Sequence, residues 1–245
     1  MVNGSLRMTL THTDTSLVQA PRGQATLSAQ VHDRLRDDIV SGALLPGQRL
    51  TLDTLIERYG VGATPLREAL SRLSTSALIR GEDRRGFRVA PATVAHMEDI
   101  LATRLAIEPV LVRSAFMSGD IAWEGRVLAA FHQLRGTGEM YQPSTHTIRE
   151  EWEIAHRAFH AAVLSSASLR VLLQFQEVLW DHAARYRNLV SSSGLDPDVL
   201  LHEHEQICET VLARDADLAG LLWNRHIQNA GNSVLAAMKL REAGT

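Results

Sequence analysis

At 245 residues, 45% hydrophobic and 22% charged, the chain suits two modest domains with enough apolar side chains for a sizeable core. A single cysteine, Cys208, excludes an internal disulfide framework and fits a reducing cytoplasm. No apolar run approaches the roughly 20 residues that span a bilayer, and residues 1–23 read as a disordered tail without a secretory signal.

The formal net charge of −3 conceals two halves of opposite sign. Residues 24–90 carry ten arginines against eight acidic residues, whereas thirteen basic and nineteen acidic residues follow from Pro91 onward. A mildly cationic front and an anionic rear place any polyanion contact at one end only. Along that front, Val31, Leu35 and Ile39 recur in i, i+4 steps and predict an amphipathic helix over Leu27–Ser41. Gly42 ends it, and Leu45-Pro46-Gly47 makes a turn. A short helix is expected over Leu52–Tyr59, closed by Gly60. Thr64-Pro65 opens a third, with Pro65 at the first helical position and Leu66, Leu70 and Leu73 as its buried stripe. Leu78-Ile79-Arg80, a turn over Glu82–Gly86, and Phe87-Arg88-Val89 read as a hairpin. Three short helices and a hairpin make a winged helix over residues 24–90, and residues 91–93 read as a hinge. Beyond it the spacing is helical throughout. Six helices are expected, at Val94–Met117, Ile121–Leu134, Thr145–Ser165, Leu169–Val190, Asp198–Ala213 and Ala216–Leu240, with Asp120 and Asp215 as N-caps. The expected fold is therefore mainly α: an N-terminal winged helix-turn-helix joined to a C-terminal antiparallel bundle of six or seven helices over residues 94–241, with its ligand site in the bundle core.

In a helix-turn-helix the second helix enters the major groove with its N-terminal residues leading. Thr64 is placed to donate to a phosphate beside the free N–H groups of the helix start. Arg67 lies one turn along, where its fork can pair with guanine O6 and N7. Arg72 faces backbone phosphate, and the hairpin tip Arg84-Arg85-Gly86 sits over the minor groove or flanking phosphates. Each arginine taken singly is equally well a solvated helix-face residue. The segment Val61–Leu73, with Leu45-Pro46-Gly47 upstream and Arg85-Gly86-Phe87-Arg88-Val89 downstream, resembles the GntR family of bacterial regulators over residues 27–90. The resemblance implies double-stranded operator DNA as partner. The chain has Gly62-Ala63 where members commonly have Ser-Arg, which leaves the operator sequence open.

In the rear half, His156 and His160 are four apart and project from one helix face. His204 and His226 fall on two helices joined by the tight Arg214-Asp215 connection. If those helices face one cavity, four imidazoles converge in a site suited to borderline divalent cations; the alternative is that they are ordinary surface or core residues. Ala155-His156-Arg157-Ala158-Phe159-His160, with Arg104-Leu105-Ala106-Ile107-Glu108 before it and Glu203-His204 and His226 after it, resembles the FadR subfamily, whose effector domain is of the FCD type. The resemblance implies that His160, His204 and His226 hold a divalent metal with an aspartate, and that a carboxylate effector completes the coordination. That aspartate position is His156 here. Two readings stand: a four-histidine site favouring zinc or nickel, with Glu153 as an alternative carboxylate, or a metal-free pocket where imidazoles and arginines bind an anion directly.

Arg104 is the leading carboxylate clamp, the alternative being an exposed i, i+4 pair with Glu108. The Arg185-Tyr186-Arg187 run offers a second, and since helix neighbours point about 100° apart, Arg185, one turn after His182, is chosen. Trp180, this run and His156 are similar to the carbon-starvation-induced branch of the subfamily, which implies a dicarboxylate effector. A homodimer is expected from two-fold operator reading, with contacts from the first and fourth bundle helices, and repression is what the family implies. Two other readings compete. A metal-dependent hydrolase or lyase leaves the Thr64–Arg72 segment without a purpose, and a ligand-free helical interaction module would keep its ionisable groups outside.

Overall fold

The computed structural model describes residues 26–82, 86–190 and 195–243. The front residues build α1 (Leu27–Val40), β1 (Arg49–Leu50), α2 (Leu52–Tyr59), α3 (Ala63–Thr75), β2 (Ile79–Glu82) and β3 (Gly86–Val89). Thr26 caps α1, its hydroxyl accepting from the Ala29 N–H, and the stripe Val31, Leu35 and Ile39 is buried. These side chains meet Leu66, Leu70 and Leu73 of α3 in one hydrophobic cluster. Each such buried leucine is worth about 1.5–3 kcal/mol relative to exposure. Between α2 and α3 the chain turns at Gly60, whose φ of 68° is left-handed, a conformation that glycine adopts without penalty.

Two details differ from expectation. The sheet has three antiparallel strands in the order β1-β3-β2, Arg49 pairing with Arg88 and Ile79 with Val89, so β1 adds a strand to the expected hairpin. Helix α3 starts at Ala63 with Gly62 as N-cap, which puts Pro65 at the third helical position rather than the first. That N–H is still among the four with no partner inside a helix, so proline remains tolerated.

The rear residues form α4 (Val94–Ser118), α5 (Ile121–Gly136), α6 (Glu150–Leu164), α7 (Arg170–Val190), α8 (Pro197–Ala213) and α9 (Ala216–Ala243). Asp120 caps α5 through the Trp123 N–H at 2.8 Å, and Asp215 accepts from the Leu218 N–H at 3.0 Å at the start of α9. Helix α6 begins five residues later than Thr145. Residues 141–148 instead fold back on themselves, with a Tyr141–Ile148 bridge and left-handed His146. The bundle core is a second cluster running from Met97 to Met238. Pro109 lies inside α4, at a cost of about 3 kcal/mol that packing against α9 and α7 outweighs. No helix among the described residues is long and apolar enough to cross a membrane.

The connection expected as a hinge is held from both sides. The Ala90 N–H donates to the Leu78 carbonyl, the Ala90 carbonyl accepts from Arg185 Nη2, and the Thr93 N–H donates to the Tyr186 hydroxyl at 3.1 Å. Helix α7 also touches the front core directly, through His182 Nε2 on the Ser76 carbonyl at 2.8 Å and Asn188 Nδ2 on the Val40 carbonyl at 3.0 Å. The two hydrophobic clusters are thus joined by one helix as much as by the chain between them.

Candidate functional site: a reading helix and a histidine cavity

Burying Leu66, Leu70 and Leu73 leaves the opposite face of α3 to solvent. Thr64, Arg67, Glu68, Ser71 and Arg72 are all exposed there. Arg67 and Arg72 carry no ion-pair partner among the described residues. Gly62 offers no side chain to the first N–H groups of α3, so that helix end can receive a phosphate. At the wing, Gly86 has φ +99°, and a Cβ there would lie 3.0 Å from the Leu50 carbonyl oxygen. That fold requirement accounts for the glycine by itself. Arg84 and Arg85 lie outside the described residues.

Helices α6, α8 and α9 bring His156, His160, His204 and His226 together. One ring nitrogen from each lies within 4.8 Å of the others, and all four residues are buried. His160 Nε2 and His204 Nε2 are 3.1 Å apart, inside the roughly 3.0–3.4 Å that two imidazoles take up on one ion at ordinary zinc–nitrogen bond lengths. Both nitrogens of His156 and Nδ1 of His160 are buried without a hydrogen-bond partner, a costly state for groups that bind nothing. His226 is oriented from behind: its Nδ1 meets Glu203 Oε2 at 2.8 Å, and Asn229 Nδ2 donates to the other Glu203 oxygen at 2.7 Å. A carboxylate behind an imidazole is the usual support of a metal-ligating histidine. The donor set therefore fits a divalent cation. Glu153, the alternative carboxylate, is instead engaged by Arg187 Nη2 at 2.6 and 2.7 Å.

Burial holds His156, His160 and His204 well below the ordinary histidine pKa, helped by neighbouring imidazoles and, for all three, by the Arg187 charge. They are neutral near neutral pH, the form that offers a lone pair. Their stability contribution is complete above the unfolded value of 6.5 and is lost as pH falls, because the unfolded chain then binds more protons. Between pH 6.5 and 5.5 each imidazole should remove up to about 1 kcal/mol. Thermal unfolding followed from pH 7.5 to 5.5 should show this fall, and a variant with His156 replaced by phenylalanine should show less of it.

The cavity beside this cluster has a volume of about 20 Å³ and is lined by Arg104, Trp152, His156, His160, Trp180 and Arg187, among others. That is room for about one water-sized occupant. Arg104 is buried and lines the cavity. Its pair with Glu108 is not an exposed one, since Nε meets Oε1 at 2.6 Å with Glu108 fully buried, and Trp223 Nε1 donates to the other oxygen at 2.7 Å. Arg185 is corrected: fully buried, it points away from the cavity to the Ala90 carbonyl. Arg187, two positions on, faces the cavity and lies over Trp180 at 5.5 Å. Trp152, stacked on His156 with ring centroids 4.4 Å apart, and Glu108 are further residues of the site that periodicity alone did not mark.

Residues 27–89 match the family described as bacterial regulatory proteins, gntR family, and residues 99–229 match the FCD domain. The chain is 35% identical to the HTH-type transcriptional regulator BphR of Paraburkholderia xenovorans (strain LB400), over 80% of this chain and 80% of that protein. It is 34% identical to the HTH-type transcriptional repressor GlaR of Escherichia coli (strain K12), over 79% and 89% respectively. The fold is similar to that of E. coli McbR/YncC, with a TM-score of 0.73 at 20% identity, covering 87% of this chain and 98% of that one.

Proposed function

From the premise that this chain belongs to the gntR family of bacterial regulatory proteins and carries an FCD domain, we propose that it is a cytoplasmic repressor controlled by a small carboxylic acid. DNA binding and transcriptional regulation follow from family membership. The same membership sets aside the hydrolase or lyase, since the named relatives are regulators. A relative named as a repressor supports the sign of regulation. The observation that carries the effector reading is the small cavity in which partnerless buried imidazole nitrogens adjoin Arg104 and Arg187. Such a set of donors and cations suits a carboxylate, with His156, His160, His204 and His226 holding a divalent metal. Neutral nitrogen donors favour zinc or nickel over manganese or calcium. A bound metal would supply a positive charge for the acid to complete, while the arginines orient it.

Helix α7 supplies the route to DNA. Trp180 and Arg187 face the cavity, while Asp181, His182, Arg185 and Asn188 hold α1, the end of α3 and the connection at Ala90. A small rotation of α7 on acid binding therefore moves the reading helix. A hundredfold change in operator affinity needs about 2.7 kcal/mol. We place the dimer contact on α4 and α7, where Val110, Met117, Val171 and Phe175 are at least half exposed. Ser114 of α4 meets Ser168, two residues before the start of α7, at 3.2 Å.

The test is operator binding. The full chain should retard its own promoter fragment, and a screen of metals and carboxylic acids should find one that changes this affinity. No retardation at low salt, with or without acids, overturns the reading. Arg67→Ala should weaken operator binding by about 1–3 kcal/mol and relax one base position. Arg72→Ala should weaken binding about equally on all sequences, as measured by fluorescence anisotropy.

A further inference from the structure

Arg104 and Arg187 both line the cavity and both lie over Trp180, at 5.8 and 5.5 Å, yet their carboxylate partners are held very differently. Glu108 is fully buried and anchored twice, by Arg104 through Nε and Nη2 and by Trp223. Glu153 has a side chain 20% exposed. Arg187 Nη2 is its one side-chain partner among the described residues, and this single nitrogen donates to both oxygens. Arg187 is 8% exposed, and its Nε is buried with no hydrogen-bond partner among the described residues. A guanidinium meets a carboxylate best side-on, through two nitrogens. Arg187 is therefore gripped from one corner, with part of its fork unused beside a cavity where both His156 nitrogens and His160 Nδ1 are also without a partner among the described residues.

Resting on the carboxylate-effector reading above, we propose that Glu153 is the protein's own stand-in for the effector's carboxylate. It holds Arg187 while no acid is bound, and an acid from solution takes over the guanidinium through Nε and a terminal nitrogen. Arg104, locked to Glu108, is the fixed cation of the site, and Arg187 is the exchangeable one. The ligand class is an organic acid small enough to reach the histidine cluster with one carboxylate on Arg187. Releasing Glu153 is part of binding, so Glu153 opposes affinity while Arg187 supports it.

Opposite signs from two partners of one ion pair are the signature to measure. The full chain, with one equivalent of zinc, is titrated with acetate and with straight-chain dicarboxylates from malonate to adipate, following tryptophan fluorescence. Operator retardation without acid serves as the control for folding. Glu153→Gln should bind the responding acid about threefold to tenfold more tightly, and Arg187→Gln at least about tenfold more weakly. If wild type responds but Glu153→Gln binds no more tightly, or both variants weaken together, the pair is structural and the exchange is overturned while the effector reading stands. If neither wild type nor Glu153→Gln responds to any acid while operator binding persists, the carboxylate reading itself falls, and the exchange with it.

Discussion

Glu108→Ala is expected to destabilise the helical bundle by about 3–5 kcal/mol, the largest single effect a charge substitution should have in this chain. The carboxylate is fully buried, takes Arg104 Nε at 2.6 Å, and accepts the Trp223 indole N–H at 2.7 Å. Truncation leaves a guanidinium that is 7% exposed without its counter-ion, and strands an indole donor as well. Glu108→Gln keeps an acceptor for Trp223 but not the charge, so its cost should lie between wild type and alanine. The exposed pair Arg113–Asp217, with side chains 70% and 85% exposed, is the control. Asp217→Ala should change stability by under about 1 kcal/mol. Chemical denaturation of the bundle, read by tryptophan fluorescence, compares the three. A loss below 1 kcal/mol for Glu108→Ala would mean that Arg104 finds compensation elsewhere in the cavity wall.

Where one face of an element is wet and the other dry, its phase is legible from the chain. The α1 stripe of Val31, Leu35 and Ile39 and the α3 stripe of Leu66, Leu70 and Leu73 are buried as their spacing predicts. The exposed complement on α3 then holds Thr64, Arg67 and Arg72. The four histidines come together because His156 and His160 share a helix face and because α8 and α9 are joined by a tight turn at Arg214.

The arginine choice on α7 fails for the opposite reason. Every residue from Trp180 to Arg187 is buried, since one side of the helix meets the cavity and the other meets the front domain. A helix dry all round has no amphipathic contrast from which to read its rotation. Whether Arg185 or Arg187 faces inward is decided by packing between domains, which no local pattern encodes. Strand β1 is missed on similar grounds, because two residues, Arg49 and Leu50, cannot alternate. Their strand state comes from pairing with Arg88 and Phe87 about forty positions away. Helix α6 starts later than the helical spacing from Thr145 predicts, because the Tyr141–Ile148 bridge competes for the residues before Glu150.

The double substitution His204→Ala with His226→Ala is expected to separate sensing from DNA binding completely. His204 and His226 lie on α8 and α9, and neither helix contributes to the contacts that α7 makes with α1, Ser76 and Ala90. Two of four donors are removed, and Glu203 loses the imidazole it orients at 2.8 Å. Two remaining imidazoles on one helix bind a divalent ion far more weakly than a closed set of four. Metal content of the purified chain should fall from about one equivalent towards zero. The response of operator affinity to acids should vanish, while affinity without acid stays within about threefold of wild type. Both cavities left by truncation are apolar in part, so some stability is lost, and the retained operator binding shows that the fold survives. Normal acid sensing by the double variant would place the sensor outside this cluster. Loss of operator binding together with sensing would instead tie the imidazoles to the fold that positions α3.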